Sequence, residues 1–134
     1  MMRRVVMDTN VAVSAILTPS GNAAKIVDMI ADEQLQICYS SDILDEYVEV
    51  LSRPRFNFCA EDQENFIAGI KQSGLLCSPA KSEMPFIDNT DRVFFDVAKS
   101  CKAILITGNI RHFPSEPFVM TPSDFLESIR GNER

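Results

Sequence analysis

Three acidic residues in this sequence, Asp8, Glu46 and Asp91, occupy positions where a carboxylate can do chemistry. Asp8 directly follows a short apolar run, where an unused charge would cost desolvation energy. Crowded carboxylates raise one another's pKa unless a multivalent cation offsets their repulsion. Oxygen ligands suit Mg²⁺ or Mn²⁺, and such a metal ion activates a water molecule and stabilises charge on a scissile phosphate. The three residues together therefore predict a metal site suited to phosphate chemistry.

Structural explanations are also open for two of these carboxylates. Asp8 or Asn10 can cap the helix that follows the apolar run. The core stripe of the predicted helix 40–54 consists of Ile43, Tyr47, Val50 and Leu51. Glu46 shares a flank of this helix with Ile43 and Val50, so we expect it to be partly buried. A partly buried carboxylate needs a cation or a hydrogen-bond donor, and an arginine in a structural ion pair would also satisfy Glu46.

The segment 90–102 contains two aspartates with different predicted environments. Asp91 lies three residues before Phe94 and continues the apolar stripe of this predicted helix at its open end. Asp96 instead aligns with Arg92 and Lys99, and pairing between residues three or four positions apart accounts for it. We therefore expect Asp91 to be the functional residue and Asp96 to lie on the surface.

Strands that alternate with helices must position these residues. The predicted strands cover residues 3–8, 35–40, 75–80, 103–108 and, as an edge strand, 117–120. The predicted helices cover residues 10–21 (broken at Pro19 and Gly21), 22–34, 40–54, 61–74, 90–102 and 121–131. Such alternation predicts the α/β class, with a parallel sheet that helices cover on both faces.

The carboxyl ends of the strands are where open α/β sheets bind ligands. Asp8 follows the first strand, and the segment 107–113 follows the strand 103–108. The helix of Glu46 begins right after the second strand, and Asp91 lies in the first turn of the helix before the strand 103–108. We therefore expect these four segments to bring polar groups to one end of the sheet.

Composition and charge narrow the class of protein. The chain has 134 residues, of which 46% are hydrophobic and 24% charged, so we predict one globular domain over residues 1–134. No apolar run approaches the roughly 20 residues of a membrane span, and the N-terminal run is too short for a signal peptide, so we expect a cytoplasmic protein without a membrane segment. The net charge of −6 argues against binding nucleic acid through bulk positive charge.

The four cysteines do not form a zinc motif. Cys38, Cys59, Cys77 and Cys101 contain no CxxC spacing, and His112 is the single histidine. All but Cys59 lie among apolar neighbours, so we expect buried, reduced thiols.

Three segments of the chain together resemble the PIN-domain family, and within it the VapC-like toxins of toxin–antitoxin systems. They are "VVMDTNVAVSAIL", "SSDILDEYVEVLSRPRF" and "DNTDRVFFDVAKSCKAILITGNIRHFP". The resemblance implies a three-layer α/β/α sandwich and a Mg²⁺- or Mn²⁺-dependent ribonuclease. It implies that Asp8, Glu46 and Asp91 are catalytic metal ligands, and it places Asn109 where many members have a fourth aspartate.

Asn109 distinguishes this chain from many members of that family. A neutral amide oxygen would hold a second metal ion more weakly than a carboxylate, so one-metal and two-metal mechanisms both stay open. Asp88 is a possible substitute, although a turn role in "IDNT" accounts for it better.

Several other positions match polar positions near the acidic residues of that family. Thr9 and Thr107 can orient water or phosphate, and Asn10 can bond to neighbouring backbone or to a ligand carboxylate. Arg53 and Arg55 can contact RNA phosphates, although solvation of the helix end explains them equally well. His112 fits a loop or packing role better than that of a catalytic base.

The partners implied by the resemblance are an RNA substrate, a cognate antitoxin protein and a second copy of the chain in a homodimer. A degenerate PIN-like domain that binds RNA or a protein without cleavage is the alternative, motivated by Asn109 and the acidic composition. A third interpretation takes Asp8 as a phosphoryl-accepting nucleophile of a haloacid-dehalogenase-like phosphatase. Those enzymes need a second aspartate at the position that Asn10 occupies here.

Overall fold

The computed structural model describes residues 3–79 and 89–132, so Asp88 and the end of the predicted strand 75–80 lie outside the described residues. The strands are β1 (Arg3–Met7), β2 (Leu35–Tyr39), β3 (Leu75–Leu76), β4 (Ile104–Ile106) and β5 (Val119–Met120). The helices are α1 (Thr9–Leu17), α2 (Asn22–Ala31), α3 (Ser41–Leu51), α4 (Ala60–Ser73), α5 (Asn89–Cys101) and α6 (Pro122–Asn132). Single 3-10 turns are formed by Pro54–Phe56 and Ile110–His112.

The five strands form one sheet in the order β3-β2-β1-β4-β5, and each neighbouring pair in the described sheet is parallel. In the central strand β1, Val5, Val6 and Met7 are each 0% exposed. Successive residues of a strand point to opposite faces, so burial of all three means that helices cover both faces. The predicted α/β class and the three-layer α/β/α arrangement are confirmed.

The sequence predicts side-chain caps for two helices, from Ser40 or Ser41 for the third helix and from Thr121 for the last. The Ser40 hydroxyl accepts a hydrogen bond from the Ile43 N–H at 3.2 Å and caps α3. The Thr121 hydroxyl accepts one from the Asp124 N–H at 3.1 Å at the start of α6. These caps satisfy N–H groups that have no partner inside the helix.

Several helices end earlier than predicted. α2 ends at Ala31, where Glu33 adopts the left-handed conformation at φ 62°. α3 ends at Leu51, because Pro54 disfavours helical backbone before it and itself begins a 3-10 turn. None of the helices in the described ranges is both long and apolar enough to cross a membrane.

The apolar stripes predicted for α3 and α5 pack into the core. Ile43, Tyr47, Val50 and Leu51 are buried on α3, and Phe94, Val97 and Ala98 are buried on α5. Burial of this apolar surface fixes both helices beside the carboxyl end of the sheet, with Glu46 half-buried as predicted.

The prediction for Asp96 is wrong, because this residue is only 5% exposed. The five consecutive residues 94–98 are all buried, so this turn of α5 is enclosed on every side. An apolar stripe indicates one covered face of a helix, whereas α5 is covered on all its faces at this turn.

The prediction of reduced thiols is wrong for two of the cysteines. Cys77 and Cys101, 24 positions apart, form a disulfide that links the segment after β3 to the end of α5. Cys38 is free and buried, and its sulfur lies within 4.8 Å of the other two. Cys59 is free and exposed.

Candidate functional site

A cavity of about 280 Å³ gathers most of the residues that the sequence singled out. Eight of the nine candidates line it, namely Asp8, Thr9, Asn10, Glu46, Arg53, Arg55, Asp91 and Asn109. Thr107 is the exception. The cavity lies where β1 ends and where α3 and α5 approach that strand, as expected for an α/β sheet.

Asp8 both caps α1 and faces this cavity. Its Oδ1 accepts a hydrogen bond from the Thr9 N–H at 2.7 Å, and its Oδ2 accepts one from the Thr107 hydroxyl at 2.7 Å. Burial raises the pKa of Asp8, while these two hydrogen bonds and the charge of His112 act in the opposite direction. The capping explanation is therefore correct, and it leaves each oxygen a further lone pair for a ligand.

Thr107 makes contacts that differ from the expected role in substrate binding. It is 0% exposed, and its hydroxyl donates to Asp8 while accepting a hydrogen bond from the Asn109 N–H at 3.0 Å. The Asn10 amide oxygen accepts a hydrogen bond from the Gly108 N–H at 3.2 Å. Together these bonds fasten the loop after β4 to the start of α1.

Tyr47 holds α3 against the end of β1, and sequence reasoning counted it only as an apolar core residue. Its hydroxyl donates a hydrogen bond to the carbonyl oxygen of Met7, the residue before Asp8. Its ring contacts Phe94 of α5 at 6.1 Å between centroids. Burial, and to a smaller degree the charge of Asp8, raise the pKa of Tyr47, so it stays a neutral donor. The sequence did contain a signal for this contact, because a tyrosine on a buried apolar stripe needs a hydrogen-bond partner for its hydroxyl.

His112 lies in the loop, as expected, and also reaches the acidic residues. Its Nδ1 is 3.8 Å from Asp91 Oδ2, and the histidine side chain is half exposed, whereas that of Asp91 is 13% exposed. A protonated His112 would therefore form an ion pair with Asp91.

The two arginines differ in their contacts. Arg53 binds both carboxylate oxygens of Glu49 on α3, at 3.2 and 2.8 Å. This hydrogen bonding raises the pKa of Arg53. Arg55 instead places its Cζ 4.7 Å from the ring centroid of Phe56, which also lines the cavity and which sequence reasoning missed.

The donor atoms of the cavity suit a hard divalent cation. Asp8, Glu46, Asp91 and Asn109 supply carboxylate and amide oxygens. Within the described residues, the buried Thr9 hydroxyl has no hydrogen-bond partner, so it is available to a ligand or water. Among the residues that the structure describes, the carboxylate oxygens of Asp8, Glu46 and Asp91 do not all lie within 4.8 Å of one another. The sulfurs of Cys38, Cys77 and Cys101 do.

Comparison with known proteins identifies the family. The PIN domain profile matches residues 4–111. The chain belongs to the PIN domain family. The matched PIN segment contains the four candidate metal ligands, whereas α6 follows it.

Two relatives illustrate how far this likeness extends. An uncharacterized protein of Methanocaldococcus jannaschii is 29% identical over 109 residues, which cover 79% of this chain and 70% of that protein. The crystal structure of VapBC2 from Rickettsia felis bound to a DNA fragment from their promoter contains a chain with a TM-score of 0.60 and 20% identity. The match covers 88% of this PIN domain protein and 96% of that chain, and at this identity it establishes a shared fold.

Proposed function

We propose that this PIN domain protein is a metal-dependent endoribonuclease that hydrolyses RNA phosphodiester bonds. The observation that carries the proposal is that Asp8, Glu46 and Asp91, from three separate segments, line one cavity. Three carboxylates gathered in one cavity repel one another, and a divalent metal ion that bound to all of them would offset this repulsion. Membership of a family of nucleases supports the same chemistry.

Asp8, Glu46, Asp91 and Asn109 would hold Mg²⁺ or Mn²⁺. When bound, the metal ion supplies an activated water and stabilises negative charge on the phosphate. Thr107 orients Asp8 through its hydrogen bond to Oδ2. Because Asn109 supplies a neutral oxygen, both one-metal and two-metal mechanisms remain compatible with the proposal.

The remaining cavity residues would bind the RNA chain. The buried Thr9 hydroxyl, which has no hydrogen-bond partner within the described residues, would donate to a phosphate oxygen or to water, and Arg55 brings positive charge to the cavity wall. Arg53 adds charge beside it while paired with Glu49. Asn10 orders the loop that carries Asn109.

We also propose that the protein is the toxin of a toxin–antitoxin pair, acts in the cytoplasm and forms a homodimer. The support is the fold that it shares with a chain of VapBC2. An adjacent upstream reading frame for a small DNA-binding protein, and co-purification with its product, would test this assignment. Light scattering of the purified protein would test the homodimer.

Cleavage of single-stranded RNA with and without divalent metal tests the nuclease proposal. We expect cleavage with Mg²⁺ or Mn²⁺, none with EDTA, and a loss of at least about 100-fold in Asp8→Asn, Glu46→Gln and Asp91→Asn. Asp45→Asn is the matched control, because Asp45 is exposed on α3, next to Glu46 in sequence but outside the cavity. An Asp8→Asn protein that cut RNA as fast as the unmodified chain would refute the proposal.

A second candidate function is RNA or protein binding without cleavage. Two observations favour it: the carboxylate oxygens of Asp8, Glu46 and Asp91 do not all lie within 4.8 Å of one another, and Asn109 is neutral. Calorimetry distinguishes the two functions, since a nuclease of this kind must bind Mn²⁺ at the cavity and a non-cutting binder need not.

A further inference from the structure

The cavity that holds the acidic residues has a second kind of wall, formed by Arg55 and Phe56. Both residues belong to the 3-10 turn Pro54–Phe56, which directly follows α3. An aromatic ring supplies neither a metal ligand nor a phosphate contact. The ring gives the cavity a wall that a ligand group with a planar, apolar surface can contact.

Phe56 is held in place from within the protein. Its ring stacks with that of Phe58 at 5.5 Å between centroids and 11° between planes. It also packs against the small buried cluster of Val13, Val50 and Leu51. The ring is therefore held in place before any ligand binds, and it supports the Arg55 guanidinium that lies over it.

Arg55 extends this surface towards solvent. Its side chain is exposed, and its Cζ lies over the Phe56 ring at 4.7 Å. Arg53, in contrast, is held by both oxygens of Glu49. Of these two arginines in the cavity wall, Arg55 is therefore the one whose guanidinium packs on an aromatic ring.

Building on the proposed nuclease function, we infer that Arg55 and Phe56 form a binding subsite for an unpaired nucleobase beside the acidic residues. Bases that are free of a duplex stack on aromatic rings and on arginine planes. A base in a continuous helix has no free face to offer. The subsite therefore selects single-stranded nucleic acid, and it tolerates any base because each has a π-face.

Binding of a labelled single-stranded RNA, followed by fluorescence anisotropy in an Asp8→Asn background that leaves the RNA uncut, tests this subsite. We expect Arg55→Lys and Phe56→Leu each to weaken binding by about tenfold, because lysine keeps the charge without the plane and leucine keeps the apolar packing without the ring. Phe56→Tyr keeps a ring and should bind as the background does. Arg130→Lys, on α6 outside this cavity, is the matched control for arginine replacement.

Three further ligands separate stacking from other contacts. With a chain of abasic ribose phosphates, and with duplex RNA of the same sequence, Phe56→Leu should bind as the background does. With single-stranded DNA of the same sequence, the loss should equal that for RNA, because stacking does not read the sugar. A loss confined to RNA would assign the contact to the 2′-hydroxyl and overturn the inference.

Other outcomes would also overturn it. If Arg55→Lys binds normally while Arg55→Gln does not, Arg55 contacts phosphate through its charge alone. If Phe56→Leu weakens binding of every ligand equally, the ring only supports the loop. The nuclease proposal fails separately, when the unmodified chain binds Mn²⁺ and RNA but cleaves nothing, and that result leaves the binding comparison intact.

Discussion

At the scale of single residues, Asp8 carries a charge that the metal-free fold opposes and that the proposed metal site requires. It is only 7% exposed, and its hydrogen bonds to Thr9 and Thr107 offset the desolvation cost only in part. A buried charge retained in spite of that cost is typical of functional sites.

Replacing Asp8 by asparagine isolates this charge. Because burial raises the pKa of Asp8 above its ordinary value of 3.8, the folded state holds the proton more tightly than the unfolded state. The free energy of unfolding of the metal-free protein should therefore fall as pH rises from that value through the raised pKa. Asp8→Asn lacks this fall. The difference in free energy of unfolding between Asp8→Asn and the unmodified protein should therefore shift in favour of Asp8→Asn as pH rises, and then level off.

Denaturant unfolding in EDTA at a series of pH values measures the difference. Asp45→Asn, which removes an exposed carboxylate from α3, is the control substitution. An Asp8→Asn advantage that is the same at every pH would contradict the prediction.

Thr107 offers a second test at this scale, because its hydroxyl acts on Asp8 rather than on substrate. Thr107→Val keeps the shape of the side chain but removes the hydrogen bond, so we expect Mn²⁺ affinity to fall by roughly 10- to 100-fold. Thr107→Ser restores the hydroxyl and should restore most of that affinity. Calorimetry with Mn²⁺ measures both, and normal binding by Thr107→Val would exclude this orienting role.

At the scale of secondary-structure elements, the cavity depends on how α3 and α5 meet the end of β1. Tyr47 makes this junction through its hydrogen bond to the Met7 carbonyl and its ring contact with Phe94. The position of Glu46, one residue earlier on α3, relative to Asp8 therefore depends on a residue that does not line the cavity.

Tyr47→Phe removes the hydroxyl and keeps the ring. We expect the free energy of unfolding to fall by about 1–3 kcal/mol, because a buried carbonyl loses its donor, and we expect cleavage to slow as Glu46 becomes less well positioned. Tyr39→Phe is the control, since the Tyr39 hydroxyl makes no hydrogen bond within the described residues, and the change should cost less than about 0.5 kcal/mol. If Tyr47→Phe and Tyr39→Phe changed the free energy of unfolding and the cleavage rate equally, the Tyr47 hydroxyl would not hold α3 against β1.

At the scale of the whole molecule, the disulfide between Cys77 and Cys101 closes the part of the chain that contains Asp91. It joins the segment after the edge strand β3 to the end of α5. The helix that presents Asp91 is thus tied to the sheet by its far end as well as by its buried face.

Counting thiols tests this linkage. In the unfolded, unreduced protein, two thiols should react with a thiol reagent, those of Cys38 and Cys59, and after reduction all four should react. In the folded protein Cys59 should react first, because Cys38 is buried and burial raises its thiol pKa. Four reactive thiols in the unfolded, unreduced protein would show that the disulfide does not form in solution.

The sequence alone was sufficient for the local order of this protein. Hydrophobic periodicity predicted the helices, the strands and the buried stripes of α3 and α5, and residue type predicted the caps Ser40 and Thr121. These features depend on neighbours within a few positions, which the sequence displays directly. Of the nine candidate residues that the acidic pattern and the resemblance to the PIN-domain family singled out, eight line one cavity.

The tertiary structure decided which side chains touch across long separations. The bonds from Thr107 to Asp8 and from Tyr47 to Met7 join residues 99 and 40 positions apart. Periodicity reports one covered face of a helix, so it could not reveal that α5 is enclosed around Asp96. Spacing along the chain likewise does not determine which cysteines meet, or that Phe56 lies beside the carboxylates. Those contacts follow from the strand order and from how the helices pack on the sheet.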